Sequence, residues 1–86
     1  MNNMAGQISE VGGVVISLNE IQADITVPRK VRTKIENVIA TLKQDIELSI
    51  RVNKALNALD ELSNDINLQA YTRTQIWNVI SVLGQL

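Results

Sequence analysis

The chain has 86 residues, of which 45% are apolar, and its 8 basic and 9 acidic side chains give a formal net charge of −1. A chain of this length predicts one small domain, and its charge balance excludes the large basic excess of a dedicated nucleic-acid-binding domain. Cysteine and histidine are both absent, which excludes disulfides, thiolate metal sites, the usual zinc ligands and the commonest general base.

The first predicted helix carries a single apolar stripe. The segment before it, Met1 to Gly6, is polar and small, and we predict a frayed end. From Gln7 onwards apolar residues recur at steps of three and four, the spacing of one helix face; they are Ile8, Val11, Val14, Val15, Leu18 and Ile21. Gly12 and Gly13 interrupt this helix at a cost of about 1 kcal/mol each relative to alanine. We interpret them as a point where a neighbouring helix comes close, the alternative being a kink or hinge.

The second predicted helix follows the linker of residues 24–26. Thr26 is the expected N-cap, and Pro28 would lie in the first turn, where its missing N–H does no harm. The apolar face that follows consists of Val31, Ile35, Val38, Ile39 and Leu42. This spacing predicts an amphipathic helix ending near Lys43.

The third and fourth predicted helices show the same pattern. Asp45 is the expected N-cap of the third helix, whose stripe is Leu48, Val52, Ala55, Leu56, Leu59 and Leu62. A second linker, residues 65–67, precedes a fourth helix that we predict from about Leu68. Its inward-facing residues are Ile76, Val79, Ile80 and Leu83.

The second half of the chain repeats the first with an offset of 41 residues. An ungapped alignment of residues 20–42 with residues 61–83 gives ten identities in 23 positions, where unrelated segments would share about one or two. Connections of about four or five residues make consecutive helices antiparallel neighbours. We therefore predict an all-α single domain over residues 1–86, a four-helix up-and-down antiparallel bundle. Two tandem 41-residue helical hairpins would form it, covering about 7–43 and about 46–84.

Three segments carry a resemblance to a known family. They are Asp24–Arg32, Leu59–Asp65 and Tyr71–Asn78, and Thr72–Trp77 is the most specific part. The chain resembles, from about Ile8 onwards, a small archaeal family of uncharacterised helical proteins, uncharacterised protein family 0147. The resemblance implies a compact four-helix up-and-down bundle in the cytoplasm of an archaeon. It implies no activity, so no catalytic or ligand residues carry over from it.

Each half contains an aspartate followed eight residues later by an arginine. The pairs are Asp24 with Arg32 and Asp65 with Arg73. An aspartate ahead of a helix start is stabilised by free N–H groups, and an arginine inside the helix can fold back on it. We expect each pair to pin its interhelix turn. The alternative is an anion site in which the two arginines lie side by side.

A basic cluster marks the start of the second helix. Arg29, Lys30, Arg32 and Lys34 fall within six positions and are the candidate contacts for an anion or RNA. At 100° per residue the four side chains point in four directions. The same end of the predicted bundle also carries carboxylates. RNA or ribonucleoprotein association is therefore the alternative function.

The candidate interaction surface lies opposite the core stripes of the duplicated helices. Outward helix faces are usually charged, yet here they carry small neutral residues at equivalent positions in both copies. The candidate residues are Thr33, Asn37, Arg73, Thr74, Trp77 and Asn78. Plain duplication history is the other explanation, and Ile16 and Ile50, which lie off the apolar stripes of their helices, could widen such a surface.

Trp77 replaces Glu36 of the first repeat and has two interpretations. The first is a seam-closing residue stacked on Arg73 one turn earlier, and the second is a partly exposed interface anchor. Burial of the indole would support the first interpretation. Exposure would support the second.

The predicted function is that of a non-catalytic protein–protein interaction or scaffold module. No phosphate-binding loop, dinucleotide motif or nucleophile with a base is present, so we predict no enzyme activity, cofactor, metal or small-molecule substrate. We expect a protein partner, or self-association into a homo-oligomer. The chain shows no membrane-spanning run and no N-terminal signal pattern, and we predict a cytoplasmic location with no membrane partner.

Overall fold

Four α-helices make up the protein. The computed structural model describes the backbone of residues 4–86 and the side chains of residues 10–86. The helices are α1 (Met4–Ala23), α2 (Arg29–Leu42), α3 (Leu48–Ser63) and α4 (Ala70–Leu83). The predicted frayed end is wrong for residues 4–6, which are helical because Met4, Ala5 and Gln7 all favour helix. Residues 1–3 of that segment lie outside the described residues.

The helices form the predicted up-and-down bundle. Each helix packs against two neighbours, α1 on α2, α2 on α3, α3 on α4 and α4 on α1, and the two diagonal pairs are apart within the described residues. The bundle measures 42 × 21 × 20 Å. This arrangement confirms the predicted fold class. It also places α2 and α4 at opposite corners of the bundle.

The core is aliphatic and follows the predicted stripes. Every residue of the α2 stripe is buried, and Leu18, Leu59, Ile35 and Ile76 are among the most deeply buried side chains. These four form two pairs separated by 41 residues. Some stripe residues at the margin are only partly buried, namely Val11, Val15, Leu48, Leu56 and Ile80. Ile8 lies outside the described side chains.

The two halves use the same kind of turn between their helices. Helices α2 and α4 have 14 residues each and start 41 residues apart. Before each helix, an aspartate Oδ1 accepts a hydrogen bond from the backbone N–H two residues later, in both cases at 2.9 Å, with Asp24 paired to Thr26 and Asp65 to Asn67. The next residue, Val27 or Leu68, is buried. Each turn is thus closed by a carboxylate and anchored by an apolar side chain.

The predicted cap of α2 is wrong. The N-cap position belongs to Pro28, with φ −54° and ψ 141°, and not to Thr26. The Thr26 hydroxyl instead donates to Asp24 Oδ1 at 2.6 Å. Because Val27 must first enter the core, the helix starts only after the proline.

The predicted starts of α3 and α4 are also too early. Glu47, and not Asp45, occupies the N-cap position of α3, and its carboxylate accepts a hydrogen bond from the Ser49 hydroxyl. Helix α4 begins at Ala70 and not at Leu68. The reason is the one that applies to α2, because Leu68 is an apolar anchor of the turn.

The interpretation of Gly12 and Gly13 as a point of close helix approach is wrong. Both lie inside the unbroken helix α1, and a Cβ atom added to either would have no neighbouring heavy atom within 4 Å. No other helix packs against them. They leave the outer surface of α1 open.

Two further features are absent from residues 4–86. None of the four helices is long and apolar enough to cross a bilayer. Acidic side chains in this part of the chain form no group of three or more arranged to hold a metal ion.

Candidate interaction surface

The outer side of α4 carries an exposed, uncharged surface. We call it the α4 face and define it by Tyr71, Thr74, Trp77, Asn78, Ser81 and Val82, all of which are exposed. Tyr71 is 70% exposed, Trp77 55% and Val82 38%. This exposure of Trp77 contradicts its role as a seam-closing residue. Its side chain is available to a partner.

Both aromatic residues of the chain lie on this face. The sequence holds one tyrosine, one tryptophan and no phenylalanine. Aromatic side chains bury about 150–250 Å² each and usually dominate cores and interfaces. Here the core is purely aliphatic, and the aromatic residues lie outside it on one helix. That distribution is typical of an interface rather than of a solvated helix.

The equivalent helix of the first repeat shows how unusual the α4 face is. Helix α2 presents four exposed charges, and every one of them is replaced by an uncharged residue in α4. The replacements are Arg29 by Ala70, Lys30 by Tyr71, Lys34 by Gln75, and Glu36 by Trp77. Arg73 is the one charged residue left in α4. The two helices therefore share a fold position but not a surface chemistry.

The predicted interaction residues fall on two separate sides of the molecule. Thr33 and Asn37 are exposed on α2, whereas Thr74 and Asn78 are exposed on α4. Because α2 and α4 do not touch, the structure does not bring the two sets together. Ile16 and Ile50 are exposed as expected, at 63% and 44%, on α1 and α3.

A groove runs between α1 and α4 beside the α4 face. Its volume is about 420 Å³, and its lining includes Gly13, Ser17, Gln75 and Asn78. The Oε1 atom of Gln75 is buried and has no hydrogen-bond partner. The groove also carries carboxylates at Glu10 and Glu20, with Val14, Val79 and Val82 as apolar lining. It thus offers small residues, apolar surface and carboxylates.

The repeat-equivalent groove between α2 and α3 is smaller and carries a basic residue. It measures about 240 Å³ and includes Lys34, Asn37 and Glu61 in its lining. Lys54 occupies the position equivalent to Gly13. The repeat has therefore produced two grooves of similar plan, of which the α1–α4 groove is the larger and has no basic residue in its lining.

Arg73 ties α4 to the end of α3. Its Nε donates to the carbonyl oxygen of Ser63 at 3.0 Å, and its Nη2 donates to that of Asp65 at 2.7 Å. The predicted partner, the Asp65 carboxylate, is engaged instead with the Asn67 N–H. Arg73 therefore pins the turn, but through the backbone carbonyls of the last residue of α3 and of the turn that follows it.

Arg51 does the same at the α2–α3 connection, a role that the sequence interpretation missed. Its Nε donates to the Ile46 carbonyl and its Nη1 to the Leu42 carbonyl, both at 2.9 Å. Its place in the first turn of the next helix matches that of Arg73 and was the available signal. Arg51 is not in the repeated segment, which hid the correspondence.

Arg32 occupies the position equivalent to Arg73 but lacks its contacts. Its Nε atom is buried without a hydrogen-bond partner, and it lines a polar groove with Gln22, Arg29 and Glu36. In this groove the Gln22 amide donates to the Glu36 carboxylate at 3.3 Å. Arg32 and Arg73 thus belong to different connections, and the structure gives no support to an anion site that joins them.

The remaining basic residues of the cluster, Arg29, Lys30 and Lys34, are exposed. Their surroundings are mixed in charge, because Lys34 shares a groove with Glu61. Asp24 lies near as well. Its pKa is held below the ordinary value, first by the Thr26 hydroxyl, then by the Thr26 N–H, and least by Arg32.

Several exposed apolar residues were not predicted. Tyr71 and Val82 extend the α4 face, and the signal for them was the absence of charge along the whole helix. Ile25 and Ile66 are 86% and 91% exposed at the tips of the two equivalent turns. Their identity in both repeats was visible in the alignment, but their exposure depends on the turn geometry.

Comparison with known proteins identifies the family. The model of an uncharacterised protein family, UPF0147, matches residues 1–86, whereas no curated protein matches the sequence. The crystal structure of a protein of this family from Thermoplasma acidophilum is similar, with a TM-score of 0.87 and 37% identity over 91% of this chain and 93% of that one. A Methanococcus protein of unknown function has a TM-score of 0.85 and 36% identity over 90% and 89%. The chain therefore belongs to the uncharacterised protein family UPF0147.

Proposed function

We propose that the protein is a non-catalytic protein–protein interaction module and that the α4 face is its contact surface. The observation that carries this proposal is the loss of four exposed charges between α2 and α4. Both helices have the same length and equivalent positions in the bundle. Fold requirements alone therefore do not explain why one outer surface is charged and the other is not.

The physical reason lies in desolvation. A charge that is buried at an interface loses its hydration, and its partner must offset a cost of several kcal/mol. Interface centres are accordingly depleted in lysine and glutamate and enriched in aromatic residues. The α4 face has this composition, since Tyr71 and Trp77 are exposed and none of its six residues is charged. Arg73 is the one charged residue of α4 and lies outside the face as defined. The Arg73 guanidinium is already bound to the end of α3.

The test is a pair of matched variants in the cell of origin. Asn37 and Asn78 are equivalent residues, both exposed, on α2 and α4 respectively. Asn78→Arg places a charge on the α4 face, while Asn37→Arg adds the same charge to a surface already charged. We expect a tagged wild-type chain and the Asn37→Arg variant to retain their protein partner on affinity purification, and Asn78→Arg to lose it. Equal retention by both variants would contradict the proposal.

The alternative function is association with RNA through the Arg29–Lys34 segment. One observation favours it, namely that the basic side chains of Arg29, Lys30 and Lys34 are exposed. The carboxylates of Asp24 and Glu61 near the same end oppose it. Ribonuclease treatment separates the two functions. Release of the partner by ribonuclease, together with loss of filter-bound RNA in a Lys30→Glu, Lys34→Glu double variant, would favour the alternative.

A further inference from the structure

We propose that the α4 face binds a second copy of this chain, with the Trp77 side chain of each copy seated in the α1–α4 groove of the other. This inference rests on the proposed function, since it names the partner of the same surface. It joins two observations that are otherwise unconnected. They are an exposed indole on one side of α4 and an open groove on the other side of the same helix, towards α1.

The indole and the groove changed together between the two repeats. On the α2 side, Glu36 takes the place of Trp77, and Lys54 takes the place of Gly13. A charged glutamate side chain would lose its hydration in an apolar groove, and a lysine side chain at position 54 would obstruct such a groove. On the α4 side, the protruding residue is aromatic and the groove is open at Gly13, where no heavy atom lies within 4 Å of an added Cβ. The exposed aromatic side chain and the groove with a glycine in its lining thus occur together on the α4 side.

The groove has the size and chemistry to receive an indole. Its volume of about 420 Å³ lies within the range of ~300–1,000 Å³ that holds small ligands. Val14, Val79 and Val82 supply apolar contacts. The indole N–H is a donor that needs an acceptor when buried, and the polar side chains that line the groove, Glu10, Ser17, Glu20 and Asn78, carry acceptor oxygens. The entering ring therefore has acceptors as well as apolar contacts available.

A two-fold axis parallel to α4 produces both contacts at once. Gln75 and Trp77 flank Ile76 by 100° on either side, and Gln75 lies in the groove towards α1. Trp77 consequently lies on the opposite side of α4. Rotation about the axis keeps each Trp77 at the same height and carries it over the partner's groove, between Gln75 and Asn78. Such an isologous contact closes after two copies.

The surfaces between the two indoles allow the helices to approach closely. Thr74, Asn78 and Ser81 follow one another at steps of four and three along the outermost line of α4. All three are small and uncharged, so two such lines can meet without repulsion or desolvated charge. The same contact through α2 would oppose Lys30 to Lys30 and Lys34 to Lys34. The α4 side is therefore the self-compatible one.

The available area limits this contact to a small dimer interface. Helix α4 has 14 residues and is about 21 Å long, half of the 42 Å length of the bundle. The α4 face with the adjoining groove therefore offers less than the ~800 Å² that a standard interface uses on each partner. Interfaces of this smaller class are weak, so we expect a dimer that dissociates in the micromolar to millimolar range.

The first experiment measures self-association of the purified full chain. Sedimentation equilibrium from about 1 µM to about 1 mM covers the affinities expected for this contact. We expect a monomer–dimer equilibrium, and a blue shift of the Trp77 fluorescence that follows the dimer fraction, because this is the one tryptophan of the chain. A monomer at every concentration, or an unshifted emission in the dimer, would overturn the proposal.

The second experiment blocks the groove and removes the indole separately. Gly13→Lys introduces the residue found at the equivalent position 54, and Gly12→Lys is its control, since Gly12 does not line the groove. Trp77→Glu introduces the residue found at position 36. We expect Gly13→Lys and Trp77→Glu to weaken dimerisation by at least about thirtyfold, the effect of losing a hot-spot residue, and Gly12→Lys to leave it unchanged. Equal effects of the two lysines would refute the geometry.

Mixing the two blocked variants tests the reciprocity of the contact. Gly13→Lys keeps its indole and Trp77→Glu keeps its groove, so one of the two symmetric contacts can form in the mixed pair. We expect the mixture to associate more tightly than either variant alone and less tightly than the wild type. No association of the mixture beyond that of the separate variants would contradict an exchange of Trp77 between grooves.

Failure of this inference is distinguishable from failure of the proposed function. A monomeric wild-type chain whose cellular partner is lost in Asn78→Arg and kept in Asn37→Arg overturns self-association and leaves the interaction role standing. If the wild-type chain is monomeric and neither substitution changes its cellular complexes, self-association and the interaction role are both overturned.

Discussion

Replacing Arg73 with methionine tests whether the arginines at the helix starts hold the bundle connections together. Methionine retains much of the aliphatic stem and removes the guanidinium. Two hydrogen bonds are lost, to the carbonyl oxygens of Ser63 at 3.0 Å and Asp65 at 2.7 Å. Both are partly buried. The Ser63 oxygen at the end of α3 is left without a donor in the helix, whereas the Asp65 oxygen still accepts from the Leu68 N–H at 3.1 Å.

The magnitude follows from the number and kind of these bonds. Hydrogen bonds to charged groups contribute about 1.5–3 kcal/mol each, and water partly replaces them where the site is accessible. We therefore expect Arg73→Met to lower the free energy of unfolding by about 2–3 kcal/mol. For a domain of this size, that loss lowers Tm by roughly 10–20 °C.

The repeat supplies a matched control. Arg32 is the equivalent arginine, but its Nε is buried without a partner, and burying an unpaired donor costs about 1–3 kcal/mol. We expect Arg32→Met to be neutral or stabilising. Arg51→Met should instead resemble Arg73→Met, because Arg51 donates to two carbonyl oxygens of the α2–α3 connection at 2.9 Å.

Urea denaturation followed by far-UV circular dichroism measures all three variants. Helical signal is the appropriate probe because Trp77 is exposed and reports little on core packing. Linear extrapolation gives each free energy of unfolding. The reasoning is refuted if Arg32→Met is as destabilising as Arg73→Met, or if Arg73→Met leaves the unfolding midpoint unchanged.

Two further predictions concern α1 and the first turn. Gly12→Ala and Gly13→Ala should each raise stability by about 0.4–1 kcal/mol, because alanine favours helix and each added methyl group enters open space; a loss of stability in thermal melts would indicate a need for the glycine backbone. The pKa of Asp24 is below its ordinary value of 3.8, chiefly because of the Thr26 hydroxyl, so its contribution to stability is present above pH 3.8 and is lost as pH falls through the folded-state pKa. Thr26→Ala should therefore reduce the acid-side loss of stability in urea titrations at pH 7 and below pH 3.8, and an unchanged slope would contradict this assignment.

Much of the fold could be predicted because its determinants are local. The stripe of Val31, Ile35, Val38, Ile39 and Leu42 is buried as its spacing requires, and short connections leave antiparallel packing as the one way to cover such stripes. Helix starts were less predictable. Thr26 and Asp45 both have side chains that can cap a helix. The starts of α2 and α4 are nevertheless decided by Val27 and Leu68, which are buried in the core before the helix begins.

The candidate site was predicted in part. Trp77 and the neutral residues Thr74 and Asn78 could be singled out by comparing the two repeats. The groove beside them could not, because it requires α1 and α4 to be neighbours and Gly13 to face outwards between them.

Residue type and spacing are enough to predict the four amphipathic helices, the 41-residue repeat and the lack of charge on α4, because these are properties of single segments. The packing of the helices is needed to know which acceptors the arginines reach and which side of α1 is open. The packing also places the two similar outer stripes at opposite corners of the bundle. These properties depend on which separate segments become neighbours in the fold. The local pattern of residues does not predict which backbone carbonyl an arginine reaches, where open space is left, or which helices lie diagonally across the bundle. Arg32 and Arg73 show this most directly, since the same residue in the same repeat position has hydrogen-bond partners in one connection and an unpaired Nε in the other.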